Sequence, residues 1–188
     1  KEEANKFYED YLESNNEILE KMNENDYTML DWVFYNEEGY PDKEMIKKQN
    51  EYLNNYGLEV VEIEEGFMLT EKKDFYYNIF KNYVSDDYRE FLKLDSENID
   101  YFGYIDSVYE HPEILENELI NWENFLKKYP DSELKSQANS IYSDYQYDYI
   151  NPLLSDSIKE ALENGKTNEL LKQYKNFIKK YPNSPTTE

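Results

Sequence analysis

The chain has no cysteine in its 188 residues. Disulfides, thiolate metal sites and cysteine nucleophiles are therefore excluded. His111 is its single histidine, so two imidazoles cannot meet on one zinc ion within the chain. That residue precedes Pro112 at a loop-to-helix junction and reads as an ordinary loop residue. Arg89 is the sole arginine and sits among acids, where a structural ion pair is the expected role. No apolar run approaches the roughly 18 residues that a membrane helix needs. No glycine-rich phosphate loop or other cofactor motif is present, so no cofactor and no catalytic residue is expected.

Positive charge is scarce as well. Twenty Lys and Arg face 42 Asp and Glu, giving a formal net charge of -22. For a folded chain of this mass that is one negative charge per roughly 440 Å² of surface. Such a surface repels phosphate backbones and anionic lipid, which excludes nucleic acid as a partner. Cations and basic partners are what such a surface leaves open.

Tyrosine is abundant instead. Hydrophobic residues make up 39% and aromatic residues 17%, with 21 tyrosines, so the chain carries enough apolar mass to fold. The joint abundance of Asn, Tyr, Lys and Glu reads as a codon-usage bias, so the tyrosines need no ligand to explain them. The chain begins at Lys1 rather than Met, as a mature product would after its leader is removed; a lipid anchor upstream of Lys1 fits that reading.

Periodicity predicts helices through most of the chain. Residues 1–24 place Ala4, Phe7, Tyr8, Tyr11, Leu12, Ile18, Leu19 and Met22 on one face. Residues 27–35 read as a short buried helix, and a further helix is expected over 42–56, closed by Gly57 at its C′ position. Residues 58–70 are β-branched, turn at Glu64-Glu65-Gly66, and read as a two-stranded hairpin. Helices then follow over 72–84 (Phe75, Tyr76, Ile79, Phe80 and Tyr83 inward), 86–95 after an N-cap at Ser85, 98–111, 112–129, 133–150, 153–164 and 167–181. The expected fold is mainly α, with helical hairpins and one small β-hairpin near 58–70. The expected division is 1–110 and 111–188.

A repeat stands in the second part. Trp122-Glu-Asn-Phe125-Leu126-Lys-Lys-Tyr129-Pro130-Asp131-Ser132 returns 52 residues later as Tyr174-Lys-Asn-Phe177-Ile178-Lys-Lys-Tyr181-Pro182-Asn183-Ser184. A weaker echo, Tyr88-Arg-Glu-Phe91-Leu92-Lys93, lies 34 residues before the first copy, the tetratricopeptide period. In each copy the aromatic, Phe and Leu or Ile form one stripe, Tyr-Pro closes the helix, and Ser starts the next turn. Over residues 112–188 this pattern resembles the tetratricopeptide-like repeats of bacterial envelope lipoproteins, such as the outer-membrane assembly lipoprotein and the periplasmic coordinator of the Tol–Pal system. Ala138, six residues after Ser132, matches the small residue of that pattern. The whole arrangement looks like uncharacterised secreted bacterial lipoproteins. The resemblance implies an extracytoplasmic location, protein binding and no catalytic residues. Its site residues would be Trp122, Phe125, Tyr129, Tyr174, Phe177 and Tyr181.

Two other constellations stand in the sequence. Asp95, Glu97 and Asp100 lie in an acidic stretch that fails the EF-hand spacing but could hold calcium loosely. Paired carboxylates with flat aromatics (Tyr27, Trp32, Tyr35, Tyr40, Tyr101, Phe102 and Tyr104) would suit glycan binding or hydrolysis. Close acid pairs are unavoidable by chance among so many acids. The leading reading is thus a non-enzymatic interaction or scaffold domain, and the alternative is a glycan-binding or glycan-hydrolysing envelope protein.

Overall fold

A computed structural model describes residues 1–24, 35, 39, 41–63, 66–97, 112–150 and 167–187. Among these the chain is mainly helical, with one two-stranded antiparallel sheet. It divides into two units, Lys1–Glu97 and Asn98–Glu188. The helices expected over 27–35, 98–111 and 153–164 lie outside the described residues.

The first unit opens with α1, Glu2–Glu24. Helix α2, Lys43–Leu53, begins where Asp42 accepts from the backbone N–H groups of Glu44 (3.1 Å) and Met45 (3.0 Å). That carboxylate satisfies two of the donors every helix start leaves open. A 3₁₀ turn, Asn54–Tyr56, then delivers Gly57 at φ 75°. Only glycine fits here: a Cβ would meet the Phe75 ring at 2.4 Å, and the backbone is left-handed as well.

Strands β1, Leu58–Ile63, and β2, Gly66–Glu71, pair with Val60 opposite Leu69. Alternation turns Leu58, Val60, Phe67 and Leu69 inward, where Leu19, Ile46 and Leu53 pack on them. The outer edge of β1 is covered in a compact way. Asn50 of α2 donates to the Val60 carbonyl (2.9 Å) and accepts from the Val60 N–H (2.7 Å), as a third strand would. This is how a lone hairpin finds its helical support.

Helix α3 is only Phe75–Phe80, shorter than the expected 72–84. Turns follow at once, so Ile79 and Tyr83 are exposed rather than inward, and Val84 takes the core place. Helix α4, Asp86–Glu97, starts after Ser85, whose hydroxyl accepts from Asn5 (2.8 Å) and bonds Asp87. Tyr8 of α1 is the hub of this half. Its ring meets Tyr76, Phe80 and Tyr88 edge-on, with centroids 5.7, 5.5 and 6.1 Å away. Phe7 and Ile18, expected inward, are exposed, while Asn15 is buried because it donates to the Tyr76 hydroxyl (3.0 Å).

The second unit contains α5, Pro112–Lys128, α6, Lys135–Ile150, and α7, Thr167–Lys180, followed by a 3₁₀ turn at Pro185–Thr187. Helices α5 and α6 form an antiparallel hairpin closed by Pro130-Asp131-Ser132, with Leu119, Trp122, Phe125 and Ala138 fully buried.

Two consequences can be measured. Replacing Asn50 by Ala leaves the Val60 N–H and C=O unpaired, with an expected cost of about 1–3 kcal/mol in urea unfolding. The second concerns Glu71. Burial raises its protonation above the usual carboxylate range, partly offset by the Tyr76 hydroxyl that donates to it at 2.6 Å. Its contribution is therefore complete below the ordinary value of 4.5 and fades as pH rises through the folded value. Glu71→Gln keeps an acceptor for Tyr76 without the charge. It should raise the melting temperature at pH 7 and lose that advantage near pH 4, in paired thermal melts.

Candidate functional site

The two sequence copies fold into the same turn. In the first, Tyr129 N–H donates to Phe125 (2.9 Å), Ser132 N–H to Tyr129 (3.2 Å), and the Ser132 hydroxyl accepts from Leu134 N–H (3.3 Å). In the second, Tyr181 N–H donates to Phe177 (2.8 Å), Ser184 N–H to Tyr181 (3.1 Å), and the Ser184 hydroxyl accepts from Thr186 N–H (3.2 Å). The side chains repeat as well. Phe125 and Tyr129 have centroids 5.2 Å apart, and Phe177 and Tyr181 5.1 Å. Lys128 lies 4.9 Å over the Tyr129 ring, and Lys180 4.8 Å over the Tyr181 ring. The chemistry is local: proline cannot continue the helix, and the serine hydroxyl caps the next one.

The second turn is also bolted onto the first hairpin. The Ser184 hydroxyl donates to Glu123 at 2.7 Å, and that carboxylate, 6% exposed, also accepts from Lys127 at 2.6 Å. Thr186, next in line, takes the Tyr142 hydroxyl at 2.9 Å and the Gln146 amide at 3.1 Å, both from α6. Farther up α7, Lys180 approaches Glu116 of α5 at 3.8 Å, and the Tyr174 hydroxyl donates to the Tyr149 carbonyl at 3.0 Å. Phe177 packs on Tyr149 with centroids 5.0 Å apart. Burial and the neighbouring Glu116 raise the Tyr149 hydroxyl well above its ordinary range, so it stays a donor.

These contacts correct the expected site. Trp122, Phe125 and Phe177 are at most 2% exposed and belong to the core of the unit, so they cannot meet a partner. Tyr129, Tyr174 and Tyr181 are half-buried and keep an accessible side. Glu123 and Ser184 were missed as a pair, although both stand in the repeat. Their separation in sequence is 61 residues, which no helical period reveals.

The other candidates are placed as follows. Asp95 and Glu97 both lie on α4; burial first, and then the Asp95 charge, push the Tyr8 hydroxyl well above its ordinary range, and Glu97 pairs with Lys93 at 3.6 Å. Asp100 and His111 lie outside the described residues. Among the described residues no group of three or more acids or histidines stands close enough to hold a metal ion. Arg89 pairs with Asp86 at 3.0 Å on the surface of α4. Of the aromatics considered for glycans, Tyr35 rests edge-on against Phe67, with centroids 5.3 Å apart. Tyr27, Trp32, Tyr40, Tyr101, Phe102 and Tyr104 lie outside the described residues. No helix among the described residues is long and apolar enough to cross a membrane.

No protein-family model, no curated protein and no solved structure matches the chain.

The Glu123–Ser184 bond is the most sharply testable feature of the unit. Ser184→Ala removes one of the donors holding a desolvated carboxylate and should cost about 1–3 kcal/mol. A double-mutant cycle with Glu123→Gln should return a coupling of about 0.5 kcal/mol or more, measured by denaturant unfolding.

Proposed function

We propose that this chain is a non-enzymatic protein-interaction or scaffold domain of an extracytoplasmic bacterial lipoprotein, with tetratricopeptide-like hairpins in its second unit. The observation that carries the reading is the repeated turn. Two copies of one helix-closing motif build the same hydrogen bonds, the same aromatic pair and the same lysine over a tyrosine ring. Stacked helical hairpins of this kind expose extended surfaces that suit protein partners. The resemblance of the motif to envelope lipoprotein repeats supports the location. The accessible sides of Tyr129, Tyr174 and Tyr181 are the contact residues in this proposal.

The reading also orders the ligand classes. A scaffold domain should be indifferent to calcium, zinc, peptidoglycan fragments and soluble polysaccharides. A true ligand at 100 times its dissociation constant adds about 2.7 kcal/mol, which moves the melting temperature by about 5 °C or more at this size. The expected result of a thermal-shift screen at fixed pH and salt is no such movement. A photoreactive residue at Asp131 or Asn183, both exposed at the turns, should instead crosslink a protein in intact cells. Binding of that protein should then be reproduced with purified components. A large shift with a glycan or cation would overturn the scaffold reading.

A further inference from the structure

The internal repeat allows one copy to serve as a template for the other. On α5 the face marked by Glu116, Leu119 and Glu123 is covered: Lys180 and Ser184 of the second copy reach its two glutamates, and Leu119 is fully buried. A shift of 52 residues places Asn168, Leu171 and Lys175 on the matching face of α7. There Leu171 is 48% exposed, and Ile178, one further turn pair along the same side, is 50% exposed. Lys175 is exposed and, among the described residues, takes part in no ion pair. Leu119, sealed in the first copy, thus has an open counterpart in Leu171, and Ile178 is exposed where its counterpart Leu126 is half-buried.

The chemistry of that open face differs from its template in one respect. The acids have been replaced: Glu116 by Asn168 and Glu123 by Lys175. Helix α7 as a whole carries Lys172, Lys175, Lys179 and Lys180 against one glutamate, in a chain whose net charge is -22. A basic helix face on so acidic a protein selects its partner by charge. Symmetric pairing of two copies through this face would set lysine against lysine, which is unfavourable. We propose that the Leu171–Lys175–Ile178 face of α7 is a docking site for an acidic amphipathic helix of a partner protein. The apolar side chains of that helix would cover Leu171 and Ile178, and its carboxylates would meet Lys172, Lys175 and Lys179. This inference rests on the scaffold reading and names the chemistry of one partner segment.

The test uses the full chain and two fluorescein-labelled peptides. One repeats Leu-Glu-Glu-Leu-Leu-Glu-Glu three times, and the other carries lysine in place of every glutamate. Fluorescence anisotropy should show saturable binding of the acidic peptide, weakening as salt is raised. Leu171→Asp with Ile178→Asp should weaken it at least tenfold while the melting temperature stays within about 2 °C, because both residues are exposed. Lys175→Glu should weaken the acidic peptide and improve binding of the basic one. The proposal is overturned if the acidic peptide does not saturate, or if it binds the aspartate variant equally well. It is overturned also if sedimentation finds a dimer of the parent chain that the aspartate variant abolishes, since a second copy then covers the face. In each of these cases crosslinking at Asp131 or Asn183 still reports independently on the scaffold reading.

Discussion

Tyrosine hydroxyls that donate to carboxylates recur among the described residues, and much of the fold is arranged around them. Tyr76 donates to Glu71 at 2.6 Å, Tyr88 to Glu9, and Tyr149 to Glu116 at 3.3 Å. A core built from tyrosine must satisfy each hydroxyl that leaves water, and an acidic chain has carboxylates to spare. Each such bond couples two elements. Tyr88 and Glu9 join α4 to α1, and Tyr149 and Glu116 join α6 to α5. Tyr76 carries a second bond from Asn15, which draws α1 toward β2 and α3. The Tyr76 and Tyr149 hydroxyls are held well above their ordinary range by burial and by the nearby acids, so they remain donors at any physiological pH.

The same rule, applied with serine and lysine, assembles the repeat. Glu123 is nearly sealed from water, and an isolated carboxylate there would cost several kcal/mol. It is held instead by Lys127 from its own helix and by Ser184 from the second copy. The serine does two jobs with one hydroxyl: it accepts from Thr186 N–H to set the turn, and it donates to Glu123 to fix where the turn lands. Thr186 then bridges to α6 through Tyr142 and Gln146. A short turn thus ties α7 to both helices of the preceding hairpin.

How much of this could be read from sequence depends on how far apart the partners lie. Local features were legible. The hairpin at 58–71, the glycine closing α2, and the helices over 112–128, 135–150 and 167–180 follow from spacing, caps and breakers. So did the repeat, whose stripe of Trp122, Phe125 and Phe177 is a core stripe by the same periodicity that revealed it. Polar residues drawn inward by distant partners were not legible. Asn15, Asn50 and Glu123 look like solvated positions until Tyr76, Val60 and Ser184 are brought beside them. The early end of α3 had a local cause. Periodicity runs on through 72–84, but the helix stops at Phe80, and Val84 rather than Tyr83 fills the core.

The two copies of the repeat separate these classes of information. Seven of the eleven positions are identical: Asn, Phe, two Lys, Tyr, Pro and Ser. Those build the turn, the aromatic pair and the lysine over the ring, all within one copy, and the geometry is accordingly the same twice. The positions that change include Trp122 to Tyr174 and Glu123 to Lys175, and each is explained by its neighbour rather than by its helix. Tyr174 has a hydroxyl because a carbonyl of Tyr149 lies within its reach. Glu123 is a carboxylate because Ser184 and Lys127 converge on it, and Lys175, which meets no such donors among the described residues, has no reason to be one. Within this repeat the identical residues build the same local turn twice, and Ser184 among them also anchors it to Glu123, while the changes at Trp122/Tyr174 and Glu123/Lys175 follow what each position is placed against.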